Sequence, residues 1–197
     1  MKERVCLIAG VGPGTGMECA QRFALGGYRV AMLARDKDRL TTLETTIKGT
    51  RGYVCDVSNL DQLVETTERV ATEMGPPSVV IHNAVSGILD GGGASKFLES
   101  DPTRLERNFR VNTTSLLYLA RATAPAMIEE GEGAIIITGN TSSLRGKANF
   151  AYFAPTKAAQ RILAEAMARD LGPKGVHVAY LLIDASIDTP RTRPLFA

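Results

Sequence analysis

A cluster of glycines follows the first apolar segment of the chain and limits which folds are possible. Residues 10–16 read Gly-Val-Gly-Pro-Gly-Thr-Gly, and they separate an apolar run at residues 5–9 from a segment of helical period at residues 14–25. Glycine allows a tight turn and a close approach of the backbone to a ligand, while the start of a helix offers free N–H groups and the positive end of its dipole. This context favours a phosphate-binding turn, and the alternative is an ordinary glycine-rich connection between a strand and a helix.

Short apolar runs alternate with longer segments of helical period along the whole chain. The predicted strands are residues 4–9, 29–34, 52–55, 78–82, 134–138 and 176–183. The predicted helices are residues 14–25, 37–48, 60–74, 102–127 and 151–171, with Asp36 and Ser58 as N-caps of the second and third. This alternation predicts an α/β fold with one doubly wound parallel sheet, in a single domain over residues 1–197. Ligands of such sheets bind beyond the carboxyl ends of the strands.

Composition and charge exclude several classes of function. The chain has 197 residues, of which 44% are hydrophobic, and its 23 Lys and Arg against 21 Asp and Glu give a net charge of +2. Because this charge is small and the basic residues are scattered, we expect no nucleic-acid partner. No apolar run is long enough to span a membrane. Cys6, Cys19 and Cys55 are too few and too widely spaced for a disulfide framework or a zinc site, so we expect a cytoplasmic protein without a metal.

The glycines at 10, 14 and 16 have a spacing that resembles the opening motif of the short-chain dehydrogenase/reductase superfamily, whose members transfer hydride with NAD or NADP. Further motifs resemble the same family at Asp56-Val57, at Asn83-Ala84 and at Asn112, although Val85 replaces the glycine that the family has after Asn83-Ala84. The resemblance covers nearly the whole chain and implies a Rossmann-type domain. The cofactor-binding residues that it implies are Gly10, Gly14, Thr15, Gly16, Asp56, Val57, Asn83, Ala84, Lys157 and Thr189.

The end of the second predicted strand bears on the choice of cofactor. An acidic residue at this place binds the ribose hydroxyls of NAD, whereas a positive group favours the phosphate of NADP. Here Ala34 stands in the acidic position and Arg35 follows it. A guanidinium can hold a phosphate through two parallel hydrogen bonds. We therefore expect NADP(H) to be preferred over NAD(H), unless Arg35 only pairs with a neighbouring carboxylate such as Asp36, Asp38 or Glu44.

The resemblance also implies a reaction centre, and this chain departs from it. Family enzymes carry a Tyr-x-x-x-Lys motif with a Ser thirteen positions before the Tyr, and the Tyr exchanges the proton that accompanies hydride transfer. Counting back from Lys157 places Phe153 in the Tyr position and Asn140 in the Ser position. A shift of one residue would bring in Tyr152, but a five-residue separation places it roughly 140° around a helix from Lys157. The usual proton donor is therefore replaced, although the Asn140 amide could still donate a hydrogen bond to a substrate carbonyl.

Three other candidate site residues each have an implied role. Lys157 either hydrogen-bonds the nicotinamide ribose, as the resemblance implies, or simply reaches solvent. Asn112 falls within an apolar helical stripe, so we expect a buried amide with a fixed partner, either at the catalytic site or as a structural group in the core. Thr189 follows the last predicted strand and would contact the nicotinamide carboxamide.

These observations lead to a principal hypothesis and two alternatives. The principal hypothesis is an NADP(H)-dependent oxidoreductase of the short-chain type with a small-molecule substrate and an altered proton-transfer site, and reduction of carbon–carbon double bonds is one variant of it. The alternatives are a catalytically silent protein that senses NADP(H) or serves as a partner subunit, and a structural protein without a nucleotide site. The resemblance also implies a homodimer or homotetramer. Relatives continue into a last strand and a substrate-covering segment, which we expect to be missing because this sequence stops at Ala197.

Overall fold

The computed structural model describes residues 3–87, 97–99, 101–189 and 192–193. The strands are β1 Val5–Ala9, β2 Arg29–Ala34, β3 Thr50–Val54, β4 Val79–His82, β5 Gly133–Asn140 and β6 Val176–Ile183. The α-helices are α1 Thr15–Leu25, α2 Lys37–Thr46, α3 Leu60–Met74, α4 Thr103–Phe109, α5 Ser115–Glu130 and α6 Ala154–Leu171. All six strands pair in parallel, in the order β3-β2-β1-β4-β5-β6. The predicted doubly wound α/β fold is confirmed.

The central strand β1 is apolar along its whole length, and β4 is apolar up to His82, because helices cover both faces of the sheet. Every residue of β1 is buried. Its side chains alternate between two cores, so that Leu7 packs with residues of α3, α5 and α6, whereas Ile8 packs with residues of α1 and α2. The strand order reverses between β1 and β4, and this switch point is where α/β sheets of this kind bind their ligands.

The long helix predicted over residues 102–127 is divided by a π-helical turn. This turn, Arg110–Thr114, separates α4 from α5 and contains Asn112. A π turn displaces main-chain groups from the regular α-helical hydrogen-bond pattern, and such turns occur frequently at functional sites. The prediction of one uninterrupted α-helix was therefore wrong at the position of a candidate site residue.

Two helix starts also differ from the prediction. The last helix begins at Ala154 and not at residue 151, because Pro155 has no N–H group to donate to the carbonyl of residue 151. Ser58 is not the N-cap of α3, since the Asn59 side chain accepts the hydrogen bond from the N–H of Gln62. Asp36 caps α2 as predicted. The remaining differences are confined to the ends of strands and helices, where boundaries are least determined by sequence.

The described part of the chain contains no helix with the length and apolarity needed to cross a membrane. Nor do these residues form any group of three or more His, Cys, Asp or Glu side chains placed to hold a metal ion. The cysteines Cys6, Cys19 and Cys55 are free thiols.

Candidate nucleotide site

A cleft of about 260 Å³ opens at the carboxyl ends of the central strands. Four connections converge on it: the glycine turn after β1, the segments that follow β2 and β3, and the segment that follows β4. The predicted site residues that line the cleft are Gly10, Arg35, Asp56, Val57, Asn83 and Ala84. The sheet topology thus brings together residues that are more than seventy positions apart in the sequence, as the parallel arrangement requires.

The glycine turn packs so closely on itself and on the segment that follows β4 that no side chain fits at two of its positions. A Cβ on Gly10 would lie 2.5 Å from the main-chain nitrogen of Ala84, and Gly10 has a φ of +98°. A Cβ on Gly16 would lie 2.5 Å from the carbonyl oxygen of Gly10. Gly12, in contrast, lines the cleft, and a Cβ there would meet no atom within 4 Å. The turn is therefore fixed against β4 on one side and open toward the cleft on the other.

The N-terminus of α1 faces this turn without a side-chain cap. Gly14 occupies the N-cap position with a φ of +136°, and no side chain accepts from the N–H groups of the first turn. Thr15 and Gly16 are the first two residues of α1. Uncapped N–H groups at a helix start, together with the positive end of the helix dipole, are suited to bind an anion.

Asn83 binds the glycine turn to the sheet through its side chain. Its Nδ2 donates to the carbonyl oxygen of Gly10 at 2.7 Å, and its Oδ1 accepts from the hydroxyl of Thr138 at 2.9 Å. The amide of Asn83 therefore supports the turn. Asn83 also lines the cleft, and direct cofactor binding by this residue, which the resemblance implies, stays a prediction.

At the end of the cleft formed by the segments after β2 and β3, the Asp56 carboxylate lies among positively charged side chains. Burial alone would raise the pKa of the Asp56 carboxyl, but hydrogen bonds from the N–H and hydroxyl of Ser58 and the charges of Arg35 and Arg107 outweigh it, so that the pKa is lowered. The two Ser58 hydrogen bonds measure 2.9 Å and 2.8 Å. An ionised carboxylate is thus flanked by two guanidinium groups, which leaves a net positive charge at this end.

The surface pairing considered for Arg35 is not observed. Among the residues that the structure describes, no carboxylate lies within salt-bridge distance of Arg35, and the neighbouring Asp36 pairs with Arg39 at 2.9 Å. Glu44 accepts instead from the N–H of Gly52 at 2.5 Å. Arg35 therefore lines the cleft with its charge available to an anionic ligand.

A second group of predicted residues forms a buried polar cluster behind the cleft. Lys157 is only 2% exposed, so the alternative in which it reaches solvent is wrong. Its Nζ donates to the carbonyl oxygen of Thr138 at 3.1 Å and to Oε1 of Gln160. Burial lowers the pKa of the Lys157 ammonium group to about 7. Thr138 connects this cluster with the cleft, because its hydroxyl also binds Asn83.

Asn112 is fully buried with fixed partners, as predicted. Its Oδ1 accepts from the N–H of Ser86 at 2.9 Å. Its Nδ2 donates to the carbonyl oxygen of Ser86 at 3.0 Å and to the hydroxyl of Thr156 at 2.8 Å. The side chain therefore joins the cleft residue Ser86 to the start of α6, a role that is structural whether or not it is also catalytic.

The positions expected to hold the proton donor contain no acid. Phe153 directly precedes α6, is 1% exposed and packs against Phe150 with 6.3 Å between the ring centroids. The hydroxyl of Tyr152 donates to the carbonyl oxygen of Phe97 at 2.8 Å, so it is directed to another partner than Lys157. Asn140 accepts from the N–H of Ser142 at 3.1 Å through Oδ1, while its Nδ2 makes no hydrogen bond with a described residue.

Thr189 lies against the glycine turn and outside the main cleft. It is 8% exposed, and a Cβ placed on Gly14 would approach its methyl group to 2.9 Å. Gly14, Thr15 and Thr189 line a shallow groove beside the cleft. The structure therefore brings the segment after β6 next to the proposed phosphate site.

Three residues near the site were missed from sequence. Arg107 lines the cleft from α4, and no local motif marks it in the sequence. Gln160 and His82 are fully buried polar groups in the cluster around Lys157. Gln160 could have been found because it lies on the buried face of α6 with Ala164 and Met167, where a polar residue needs a partner.

The fold and the cleft together define a dinucleotide-binding protein of the Rossmann type, because a glycine turn leads into an uncapped helix at the point where the strand order reverses. The sequence model of the short chain dehydrogenase family matches residues 4–196. The chain belongs to this family, which confirms the resemblance found in the sequence.

Two curated relatives of the chain are reductases by name. D-erythrulose reductase of Gallus gallus is 30% identical over 176 residues, which cover 89% of this chain and 68% of the relative. L-xylulose reductase of Homo sapiens is 28% identical with the same coverage. The chain thus spans about two thirds of the length of these relatives.

Solved structures show the same fold. A gluconate 5-dehydrogenase from Burkholderia cenocepacia J2315, in complex with NADP and tartrate, is 25% identical and superposes with a TM-score of 0.86 over 99% of this chain and 76% of its own. An NAD+-bound xylitol dehydrogenase is 26% identical, with a TM-score of 0.84 over 91% of this chain and 69% of its own. The similar structures thus include one with bound NADP and one with bound NAD+.

Proposed function

We propose that this protein is an NADP(H)-dependent oxidoreductase that acts on a small molecule and has an altered proton-transfer site. The observation that carries the proposal is the cleft itself, in which Arg35 follows β2 and has no described carboxylate within salt-bridge distance, while the glycine turn opens toward the same cleft. A guanidinium in this position suits the additional phosphate of NADP better than a ribose hydroxyl. The named relatives are reductases and dehydrogenases, which supports an enzyme.

The residues of the cleft fit the parts of a dinucleotide. The N–H groups of the glycine turn and of Thr15 and Gly16 would bind the diphosphate. Arg35 would bind the ribose phosphate, and Asp56, with Val57 and Ala84 beside it, would bind the adenine. When bound, NADPH would supply a hydride from its nicotinamide ring.

The residues near the proposed nicotinamide position would hold the reactants in place. Lys157 would donate to the nicotinamide ribose, a task that does not require a tyrosine. Thr189 would bind the carboxamide from the segment that passes the glycine turn. The Nδ2 group of Asn140, which has no described partner, would donate to a substrate carbonyl. Asn112 would support this arrangement by joining Ser86 to α6.

Because the tyrosine hydroxyl is absent, we expect a low rate of ketone reduction. The phenyl ring of Phe153 has no proton to donate, and absence of a positioned general acid costs about 100- to 10,000-fold in rate. We therefore expect slow reduction of ketones, with the proton supplied by water or by another side chain. Reduction of carbon–carbon double bonds is a variant that needs no acid at this position.

The direct test restores the usual residues in the double variant Phe153→Tyr with Asn140→Ser. We expect ketone reduction, followed by NADPH absorbance with a panel of ketones, ketoses, quinones and enoyl compounds, to rise at least about tenfold. The matched control is Phe150→Tyr with Asn149→Ser, which adds the same groups nearby. If the double variant and its control are equally slow, Phe153 does not occupy the proton-donor position.

A second candidate function is a silent NADP(H)-binding protein that acts as a sensor or partner subunit. The observation in its favour is that Phe153 and Asn140 replace both groups of the usual proton-transfer pair. Binding of NADPH without turnover of any compound in the panel would support it. Turnover by the unmodified protein at ordinary enzyme rates would exclude it.

We also propose that the protein forms a homo-oligomer through α5 and α6. Leu117 and Tyr118 on α5 and Ile162 on α6 are 39%, 38% and 54% exposed, which suits helix packing against a second copy in a homodimer or homotetramer. Light scattering at micromolar concentration would show a single-chain mass if this is wrong. A cytoplasmic location remains a prediction from the cysteine content.

A further inference from the structure

Behind the cleft, a chain of hydrogen bonds runs through the buried polar cluster from α5 to Lys157. Its members are Ser115 on α5, His82 at the end of β4, and Gln160 and Lys157 on α6, and each is at most 2% exposed. Ser115 Oγ and His82 Nε2 are 2.7 Å apart, and His82 Nδ1 and Gln160 Nε2 are 3.2 Å apart. Gln160 Oε1 in turn contacts Lys157 Nζ.

The number of hydrogens that each group can donate determines the direction of the hydrogen bonds from Ser115 to Lys157. The Ser115 hydroxyl has one hydrogen, and it donates to the carbonyl oxygen of Val111 at 2.6 Å. Ser115 Oγ can therefore only accept from His82, so the ring of His82 carries its hydrogen on Nε2. A neutral imidazole with Nε2–H has an accepting Nδ1. Burial and the nearby charge of Lys157 lower the pKa of His82 to about 3, which agrees with a neutral ring.

The same reasoning fixes the amide of Gln160. Its Nε2 has two hydrogens, one donated to Nδ1 of His82 and the other to the main-chain carbonyl oxygen of Asn112 at 2.5 Å. That carbonyl lies in the π turn between α4 and α5. With both hydrogens used, the amide cannot flip, and Oε1 is the atom presented to Lys157.

Lys157 Nζ therefore has two acceptors from the protein and one remaining position. Its contacts among the described residues are the carbonyl oxygen of Thr138 and Oε1 of Gln160. Both are neutral, and no described carboxylate lies within salt-bridge distance. The other titratable groups packed around Lys157 are His82 on β4 and Tyr180 on β6, whose hydroxyl donates to the Lys157 main-chain carbonyl at 3.3 Å. The third Nζ position carries a hydrogen when the amine is charged and a lone pair when it is neutral.

We infer that Gln160 is a positioning residue that fixes the amine of Lys157 and leaves one Nζ position for a further partner. The role toward a cofactor rests on the function proposed above, whereas the order of the hydrogen bonds does not. Gln160, three positions after the lysine on α6, thereby orients the Lys157 amine without itself contacting substrate or cofactor.

The first experiment needs no substitution in the cluster. The chain has two histidines, His82 and His177, so long-range ¹H–¹⁵N NMR spectra of ¹⁵N-labelled protein contain two imidazole patterns. The variant His177→Gln, at an exposed position of β6, assigns them. At pH 7 we expect the His82 ring to be protonated at Nε2 and not at Nδ1. A ring protonated at Nδ1, or one that is charged at pH 7, would overturn the inference.

The second experiment measures the titration of Lys157 by the ¹³Cε and ¹⁵Nζ resonances, assigned with Lys157→Met. In Gln160→Glu a carboxylate replaces the neutral acceptor, and we expect the titration midpoint to rise by about one to three pH units. In Gln160→Leu the acceptor is lost, and we expect the midpoint to fall. If Gln160→Leu does not fold, Gln160→Glu and the unmodified protein still give the answer. An unchanged midpoint in Gln160→Glu would show that Gln160 does not position the amine.

The third experiment measures NADPH binding by calorimetry. One hydrogen bond contributes about 0.5–1.5 kcal/mol, so we expect Gln160→Leu to weaken NADPH binding by about twofold to tenfold, while Gln160→Glu moves the pH dependence of binding to higher pH. Normal NADPH affinity and pH dependence in both variants would contradict the role toward the cofactor. If the unmodified protein does not bind NADPH, the proposed function fails, and the NMR results still decide whether Gln160 orients Lys157.

Discussion

Replacement of Gly10 by alanine tests whether the glycine turn is held against β4. In this variant the new Cβ would lie 2.5 Å from the nitrogen and 2.6 Å from the Cα of Ala84, which are main-chain atoms of the segment that follows β4. These atoms cannot move aside as a flexible side chain would. Overpacking of this kind costs about 1–3 kcal/mol, and a φ of +98° adds about 1–3 kcal/mol for a residue with a Cβ. We expect Gly10→Ala to lower the free energy of unfolding by about 2–6 kcal/mol.

Variants at two other glycines separate the contribution of overpacking from that of backbone strain. Gly27 has a φ of +83°, and a Cβ there would meet no atom within 4 Å, so Gly27→Ala measures backbone strain alone, about 1–2 kcal/mol. Gly12 has no positive φ and no close neighbour, so Gly12→Ala should retain full stability. Because Gly12 lines the cleft, we expect the added methyl group to weaken NADPH binding.

Urea unfolding followed by circular dichroism gives the three free energies. The expected order of destabilisation is Gly10→Ala, then Gly27→Ala, then Gly12→Ala. If Gly10→Ala loses no more stability than Gly27→Ala, the glycine turn is not packed against Ala84. In that case the geometry on which the nucleotide site depends is incorrect.

Three further predictions concern the buried polar groups. Asn112→Ala should lower the free energy of unfolding in urea by about 2–4 kcal/mol because it leaves buried partners unpaired, whereas Asn149→Ala, at an exposed position, should change it by less than about 0.5 kcal/mol. The pKa of His82 is about 3 in the folded protein and about 6.5 in the unfolded chain. Between these values the unfolded state binds more protons than the folded state. The free energy of unfolding should therefore fall as the pH drops from 6.5 to 3, by up to about 1.4 kcal/mol per pH unit. His82→Gln should remove this dependence and His177→Gln should retain it, as measured by urea unfolding at several pH values. The pKa of Lys157 is about 7 folded and 10.5 unfolded, so its contribution should make stability rise between pH 7 and 10; thermal unfolding of Lys157→Met should lack this rise, and an equal rise would contradict a buried amine.

The sheet could be predicted from sequence because its determinants are local. Apolar runs such as Val5–Ala9 and periodic segments such as Leu60–Met74 alternate with glycine turns, and this pattern has few other solutions. The cleft residues Gly10, Arg35 and Asp56 could be predicted on a different basis, because the motifs that contain them resemble those of the family. Parallel strands place their carboxyl ends together, which agrees with a single site.

The polar cluster could not be predicted in the same way, because its hydrogen bonds join distant positions. His82 and Gln160 are 78 residues apart in the chain. The π turn at Asn112 has no marker in local propensity, and the carbonyl of Asn112 accepts a hydrogen bond from the Gln160 side chain. Residue spacing identified Lys157 as a site residue, but its burial and its partner depend on tertiary packing.

Calorimetric titration with NADPH and NADH tests the central claim that the cleft binds the phosphate-bearing dinucleotide. We expect NADPH to bind about tenfold or more tightly than NADH, and Arg35→Ser to remove most of this difference, because hydrogen bonds to charged groups contribute about 1.5–3 kcal/mol. Lys37→Ser, at an exposed position two residues further on, should leave the ratio unchanged. Absence of heat with both nucleotides, or a preference for NADH, would contradict the account.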